Sequence, residues 1–166
     1  MKNNIVLIGM PGVGKSTVGV VLAKILGYRF VDTDIVIQEQ EKRLLKDIIA
    51  DEGVDGFIDI ENRVNASIIA DKSVIATGGS VVYGKEAMEH LKEIGTIVYL
   101  KIGYEAIEER VVNVKGRGVV LKPGQDLYAL YEERKSLYEM YADITVDETG
   151  LGVEETIEQI ISSLGE

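Results

Sequence analysis

The segment that most restricts the fold of this chain is residues 9–17, with the sequence GMPGVGKST. It follows a short apolar run rich in β-branched residues, Asn4–Ile8, and precedes residues 18–26, which have the length and apolar spacing of a helix. A strand, a glycine-rich loop and a helix in this order are typical of a loop that wraps around phosphate groups. The sequence therefore predicts a phosphate-binding loop near the start of an α/β domain.

The spacing within this loop matches Gly-x-x-x-x-Gly-Lys-Ser/Thr in full. Its glycines allow several backbone N–H groups to converge on phosphate oxygens, and the positive end of the following helix attracts the same anion. Lys15 is expected to reach the terminal phosphates, and the Ser16 hydroxyl to coordinate Mg²⁺. The alternative is a glycine-rich turn that binds nothing. The predicted ATP-binding residues of the loop are Gly9, Pro11, Gly12, Val13, Gly14, Lys15, Ser16 and Thr17.

Length and composition limit the remaining possibilities. A chain of 166 residues, 46% hydrophobic, fits a single domain over residues 1–166. Because it has no cysteine and His90 is its single histidine, any metal is expected to be a hard ion bound by oxygen. The net charge of −10 argues against a nucleic-acid partner. No run approaches the roughly twenty apolar residues needed to cross a bilayer, so we expect no membrane partner and a cytoplasmic protein. We expect a monomer, with a weak dimer as the alternative.

Short β-rich runs alternate with amphipathic stretches along the whole chain. This alternation predicts a parallel sheet covered by helices on both faces, with ligands bound beyond the carboxyl ends of the strands. The predicted strands are residues 5–8, 29–31, 73–76, 96–100 and 144–146. The predicted helices are residues 17–26, 35–50 with a break near Glu41, 57–70, 85–93, 104–112, 126–141 and 153–164.

Two carboxylates follow the second predicted strand, in Asp32-Thr33-Asp34. At the edge of the sheet, one can steady Mg²⁺ through water while the other accepts the proton of an acceptor hydroxyl or orients that hydroxyl. The alternative is helix capping, since Asp34 precedes an apolar-periodic helix and aspartate is a good N-cap. Capping and catalysis can coexist.

Glycines follow the third predicted strand, in Thr77-Gly78-Gly79-Ser80. Paired glycines at a strand end let a ligand approach the backbone closely, whereas the alternative is a tight turn into the next helix. The position at the carboxyl edge of the sheet favours the ligand site.

A basic, glycine-punctuated loop at residues 115–124 has a length typical of a mobile lid, which we place at about 112–125. Arg117 in this loop is expected to stabilise charge on the transferred group, although a solvated surface loop is the alternative. Arg110 is suited to stack on adenine or simply to end a helix with a favourable charge. Arg134 lies within Glu132-Glu133-Arg134-Lys135, where a salt-bridged helix face is a strong competitor.

Taken together, these motifs resemble the shikimate kinase family of small P-loop kinases over nearly the whole chain. The resemblance depends on the phosphate-binding loop, Asp32-Thr33-Asp34, residues 53–57 leading to Glu61, Gly78-Gly79, Arg117, and residues 133–138 followed by Ala142-Asp143. It implies a three-layer α/β P-loop kinase fold with a five-stranded parallel sheet in the order 2-3-1-4-5, helices on both faces and a mobile lid. It also implies an acceptor-binding helical region at about 33–62 and ATP-dependent phosphorylation of a shikimate hydroxyl, in aromatic amino-acid biosynthesis.

The resemblance also assigns roles to the matching residues, with ATP and Mg²⁺ as cofactors. Lys15 and Arg117 would stabilise the transferring phosphoryl group, Ser16 and Asp32 would hold Mg²⁺, and Asp34 would act as base. Arg110 falls where the family contacts adenine, and Arg134 where it binds the carboxylate of the acceptor. The expected catalytic residues are Lys15, Asp34 and Arg117, and the expected substrate-binding residues are Asp34, Ile58, Gly78, Gly79, Ser80 and Arg134.

Departures from the family pattern are concentrated on the acceptor side. The family has Phe-Arg where this chain has Phe57-Ile58, and isoleucine forms none of the charge-assisted hydrogen bonds that a guanidinium makes to a carboxylate. Ser80 replaces the last glycine of a Gly-Gly-Gly motif. Either Arg134, with Arg63 or a lid residue, holds the carboxylate, or the chain phosphorylates another polyol or hydroxy acid. A nucleotide kinase and a nucleotide-binding sensor without catalysis are further alternatives.

Overall fold

Short strands alternate with helices along the chain, as the sequence predicts. The structure is a computed structural model that describes residues 2–113 and 126–165. The strands are β1 (Asn4–Ile8), β2 (Arg29–Asp32), β3 (Ser73–Ala76), β4 (Gly95–Lys101) and β5 (Ile144–Asp147). The helices are α1 (Lys15–Leu26), α2 (Thr33–Glu41), α3 (Leu45–Ala66), α4 (Lys85–Ile94), α5 (Tyr104–Asn113), α6 (Leu127–Tyr141) and α7 (Val153–Ser163), with a short 3₁₀ turn at Val81–Tyr83.

The strands form one parallel sheet in the order β2-β3-β1-β4-β5, which confirms the predicted three-layer fold. The central strand β1 is buried along its whole length, because neighbouring strands flank it and helices cover the sheet. The phosphate-binding loop leaves this central strand at its carboxyl end. It therefore opens at the edge where parallel sheets bind their ligands.

A second, smaller core holds α2 and α3 together beside the sheet. It consists of Ile37 from α2 and Ile48, Phe57 and Val64 from α3, all of them buried. This unit covers most of the region predicted to bind the acceptor, about residues 33–62. Its separate core allows it to form a wall of the site without joining the sheet.

Helix α3 is interrupted within the gap that the sequence predicts between two helices. The sequence predicts one helix ending at residue 50 and another starting at 57, and in Leu45–Ala66 two helical segments meet at a kink at Gly53, which reduces the predicted gap to that residue. Gly53 has φ 76° and ψ 177°, a left-handed region that glycine adopts without the cost of a Cβ. The predicted break near Glu41 is confirmed, since α2 ends there and Lys42 has φ 54°.

The predicted lid at about 112–125 lies largely outside the described residues, and Arg117 lies outside them altogether. The first two lid positions, 112 and 113, belong to the end of α5. The lid therefore stays a prediction.

Candidate active site

A cavity of about 430 Å³ opens at the carboxyl ends of the central strands. The loops after β1 and β3, the start of α1 and the last residue of β2 form one side of it: Pro11, Gly12, Gly14, Lys15, Ser16, Thr17, Asp32, Thr77, Gly78, Gly79 and Ser80. The other side comes from α2, α6 and the first and middle parts of α3: Asp34, Gln38, Leu44, Leu45, Lys46, Ile49, Phe57, Glu61 and Arg134. The fold thus brings the phosphate-binding loop and the predicted acceptor residues to one space.

The phosphate-binding loop adopts a curled backbone conformation that its glycines make possible. Gly12 and Gly14 have φ 88° and 87°, and Gly14 is the N-cap of α1. The Lys15 side chain folds back over the loop and donates hydrogen bonds to the carbonyls of Gly9 and Met10, at 2.7 and 2.9 Å. The ammonium group is thereby held above the N-terminus of α1, where phosphate oxygens are attracted.

Asp32 connects the loop to the acceptor side of the cavity. Its Oδ1 accepts a hydrogen bond of 3.0 Å from the backbone N–H of Asp34 and caps α2. Its Oδ2 accepts one of 3.3 Å from the Ser16 hydroxyl. The alternative interpretation, in which Asp34 caps the helix, is not what the structure shows, because Asp32 is the N-cap of α2 and the Asp34 carboxylate lines the cavity.

Glu61 is a carboxylate on the buried face of α3. It is 1% exposed, and the Ser80 hydroxyl donates a hydrogen bond of 2.5 Å to its Oε1. The pKa of Glu61 is raised to about 7, mainly by burial and in part by the nearby Asp34 carboxylate, while the Ser80 hydrogen bond and the charges of Arg134 and Lys15 oppose the shift. Among the described residues, its Oε2 has no hydrogen-bond partner, and it points toward Gly78 in the cavity wall. The Asp34 carboxylate approaches the same glycine.

Arg134 is not on a surface helix face. It is 1% exposed, lines the cavity, and places its guanidinium carbon 5.5 Å from the centre of the Tyr83 ring. A Cβ on Gly79 would lie 2.9 Å from Arg134 Nη1 and 2.8 Å from Pro11 Cδ, so Gly79 is the residue that fits between α6 and the phosphate-binding loop. The Tyr138 hydroxyl fixes this glycine by donating a hydrogen bond of 2.6 Å to its carbonyl.

Arg110 lies against the outside of the phosphate-binding loop. Its Nη1 donates a hydrogen bond of 2.9 Å to the Gly12 carbonyl and lies 3.8 Å from Glu148 Oε1. Glu148 follows β5 and is 5% exposed, and burial raises its pKa to about 7 against the opposing charge of Arg110. The contact with Gly12 keeps Arg110 beside the loop, outside the cavity wall itself.

Several predicted site residues lie away from the cavity wall. Among the described residues, Gly9, Val13, Arg110 and Ile58 do not line it. Gly9 and Val13 support the loop from behind, with Val13 buried, whereas Ile58 is half-buried on α3 beside the wall residue Phe57. Arg63 donates to Glu41 at 2.9 Å on the surface, so it is held away from the acceptor side.

Three charged residues near the site were not singled out for a role from the sequence: Glu61, Glu148 and Lys46. Glu61 stands four residues after Phe57, so its place on the apolar face of a helix was a signal in the sequence. Glu148 stands two residues after the predicted strand at 144–146 and directly after β5, which places it at the ligand-binding edge. Lys46 gave no signal, because a lysine near a helix start normally faces solvent.

Within residues 2–113 and 126–165, no group of three or more acidic, histidine or cysteine side chains is arranged to hold a metal ion. The Ser16 hydroxyl and the Asp32 carboxylate still lie side by side, and oxygen ligands of this kind suit Mg²⁺, which keeps several waters and phosphate oxygens as its other ligands. No helix in the described part of the chain is long and apolar enough to span a membrane.

The sheet order, the phosphate-binding loop and the cavity beside Asp34 define a P-loop kinase that acts on a hydroxyl group of a small molecule. The particular family follows from comparison with known proteins. The chain belongs to the shikimate kinase family, whose sequence profile, described as shikimate kinase, matches residues 11–165.

Relatives and solved structures agree with this assignment. The shikimate kinase of Persephonella marina is 35% identical over 97% of this chain and 98% of its own length. That of Thermodesulfovibrio yellowstonii is 40% identical over 95% of this chain and 92% of its own length. A structure of the Acinetobacter baumannii shikimate kinase in complex with shikimate is 31% identical, covers 99% of this chain and 93% of that one, and gives a TM-score of 0.86.

Proposed function

We propose that this protein transfers the γ-phosphoryl group of ATP to a hydroxyl of shikimate, in a Mg²⁺-dependent reaction that gives shikimate 3-phosphate. One observation carries the proposal: the Lys15 ammonium and the Asp34 carboxylate line the same cavity, so a phosphate donor and a hydroxyl acceptor can meet between them. The A. baumannii relative, which shares the fold over nearly the whole chain, was solved with shikimate bound.

The donor half of the reaction uses the phosphate-binding loop. The backbone N–H groups of the loop and the N-terminus of α1 bind the phosphates, and Lys15 stabilises the charge on the group in transfer. Ser16 and Asp32, whose oxygens are 3.3 Å apart, would hold Mg²⁺. The ion would supply positive charge that offsets the charge on the phosphate oxygens. Arg110 contacts the nucleotide from the outer side of the loop, and Arg117, which lies outside the described residues, is the residue that we propose to stabilise charge on the transferred group.

The acceptor half depends on Asp34 and Arg134. Asp34 accepts the proton of the attacking hydroxyl, and its position is fixed because its own N–H is bound to the Asp32 carboxylate. The planar guanidinium of Arg134 is suited to bind a carboxylate through two hydrogen bonds. Gly78 and Gly79 let the acceptor approach the backbone, and Ser80 holds Glu61 beside it.

A second acceptor remains a specific alternative, because Ile58 stands where the family has an arginine. Loss of one charge-assisted contact to a carboxylate weakens acceptor binding by about 30- to 100-fold. The alternative is a kinase for another polyol or hydroxy acid, with the same donor half and a differently shaped acceptor.

A coupled assay of ADP release tests the proposal. The wild type is expected to release ADP in response to shikimate, and quinate and related hydroxy acids serve as competing acceptors. Asp34→Asn should lose turnover and keep its affinity for ATP, whereas Ile58→Arg should lower the KM for shikimate. If the protein does not turn over millimolar shikimate but does turn over another hydroxy acid, that acid is the acceptor. Calorimetric ATP binding without turnover of any acceptor would instead indicate a sensor.

We also propose that the protein is a monomer and lies in the cytoplasm. Analytical ultracentrifugation between micromolar and millimolar concentrations distinguishes this state from a weak dimer.

A further inference from the structure

The cavity is lined by cationic side chains from three different helices. Its wall includes the side chains of Lys15, Arg134 and Lys46. Lys15 is tied to the phosphate-binding loop by its hydrogen bonds to loop carbonyls, and Arg134 is buried on the opposite wall. Lys46 is exposed at the edge of the cavity, on the side formed by α3.

The position of Lys46 is not explained by the stability of its own helix. Lys46 is the second residue of α3, and the N-cap residue Leu44 makes no side-chain cap hydrogen bond. A cation in the first turn of a helix faces the positive end of the helix dipole, which is unfavourable. Ile49, one turn later on the same face, also lines the cavity, so this face of α3 points toward the ligand space.

Arg43, three residues before Lys46, forms ion pairs with carboxylates, whereas Lys46 forms none within the described part of the chain. Arg43 pairs with Glu41, Asp51 and Glu52, at 3.1, 3.2 and 3.4 Å. Among the described residues, no hydrogen bond or ion pair engages the Lys46 ammonium. Its flexible four-carbon stem lets the charge follow a ligand, which suits a cation at the open edge of a site.

Two carboxylates of the same cavity, Glu61 and Asp34, indicate what kind of ligand would bind there. Glu61 is buried, and its Oε2, which has no hydrogen-bond partner in the described part of the chain, faces the cavity beside Gly78. A hydroxyl of the ligand would satisfy this atom, and the Asp34 carboxylate nearby accepts a second hydroxyl. A ligand that carries hydroxyls at one end and an anionic group at the other matches both the carboxylates and the cations of the cavity.

We infer that Lys46 binds the carboxylate of the hydroxy-acid acceptor, together with Arg134, and so determines the specificity of the site for an anionic acceptor. The inference rests on the proposed function. The ammonium approaches from the solvent side of α3 and the guanidinium from the buried side of α6. The carboxylate then lies between a mobile cation and a fixed one, while the hydroxyls face Asp34.

The test compares shikimate with its methyl ester, which keeps the hydroxyls and lacks the charge. Lys46→Ala should raise the KM for shikimate about 10-fold, which corresponds to about 1.4 kcal/mol, and leave kcat and the KM for ATP within about twofold. The same substitution should leave the KM for the ester unchanged. Lys46→Arg, which restores a cation, should recover most of the affinity for shikimate.

Lys24→Ala is the matched control, because it removes one exposed lysine from α1 at a position outside the cavity wall. An equal KM for shikimate in the Lys46→Ala and Lys24→Ala variants would overturn the inference. An equal rise for shikimate and for the ester, or a rise in the KM for ATP alone, would do the same. If the wild type neither binds nor phosphorylates shikimate, both proposals fall; if it phosphorylates shikimate and Lys46→Ala is unaffected, only this one falls.

Discussion

Replacing Glu61 with glutamine is expected to remove a large part of the pH dependence of folding. Glu61 is fully buried, and burial raises its pKa from 4.5 to about 7, with a further contribution from the Asp34 carboxylate. Glutamine has nearly the same shape and keeps an oxygen that accepts the Ser80 hydrogen bond. It carries no charge at any pH, so the desolvation penalty of the ionised carboxylate disappears.

The sign and size of the effect follow from the difference in pKa. Because the folded state of the wild type holds its proton up to about pH 7 and the unfolded chain releases it near 4.5, stability falls as the pH rises between these values. Above pH 7 the buried Glu61 is ionised in the folded state, and the resulting loss of folding stability is on the order of 3 kcal/mol. Glu61→Gln should therefore gain about 2 to 3 kcal/mol relative to the wild type between pH 5 and pH 8.

Urea unfolding of both proteins at pH 5 and pH 8 measures this gain directly. The other buried carboxyl group of raised pKa, Glu148, titrates in both proteins and cancels in the comparison. Glu93→Gln, which changes an exposed carboxylate on α4, controls for the loss of one negative charge. A difference in unfolding free energy between Glu61→Gln and the wild type that is the same at pH 5 and pH 8 would refute the reasoning.

Three further substitutions test contacts around the cavity. Gly79→Ala places a Cβ 2.8 Å from Pro11 and 2.9 Å from Arg134, so the KM for shikimate should rise at least ~10-fold; an unchanged KM would contradict this packing. Tyr138→Phe removes the hydrogen bond to the Gly79 carbonyl and should cost about 1 to 2 kcal/mol in urea unfolding, a loss that would be absent if that bond were unimportant. Asp32→Ser keeps an N-cap and loses the carboxylate, so stability should change by less than about 0.5 kcal/mol. Half-maximal activity should then need several times more Mg²⁺, and an unaltered Mg²⁺ requirement would exclude Asp32 as a ligand.

The parts of the fold that sequence reasoning predicted are those set by local patterns. The phosphate-binding loop is defined by glycine spacing, and the buried parallel strands by continuous apolar runs, so the strands were located to within one or two residues. The order of the strands came from the resemblance to a family and is confirmed by the structure. The strand boundaries needed no knowledge of distant contacts.

Other parts depend on tertiary position, which local patterns do not give. Arg134 lies between glutamates and a lysine, a pattern typical of a surface, and only the family resemblance predicted its role in the site; it is 1% exposed because α6 turns this residue toward the cavity. Ile58 was expected in the acceptor wall, whereas the described wall uses its neighbours Phe57 and Glu61. A helical pattern gives the spacing of a face, but only packing against the rest of the chain decides which residue of that face meets the ligand.

The bend at Gly53 has a consequence for how the acceptor site can change. The segment of α3 before Gly53 carries Lys46 and the segment after it carries Glu61, so two helical segments joined at a kink both supply residues to the cavity. Nothing lies within 4 Å of a Cβ built on Gly53, so the limit at this position is backbone conformation and not space. Side chains on the first half can therefore be exchanged for a new acceptor while the second half keeps its buried carboxylate in place. In this arrangement, the range of acceptors depends on the segment of α3 before Gly53, and the integrity of the reaction centre depends on the segment after it.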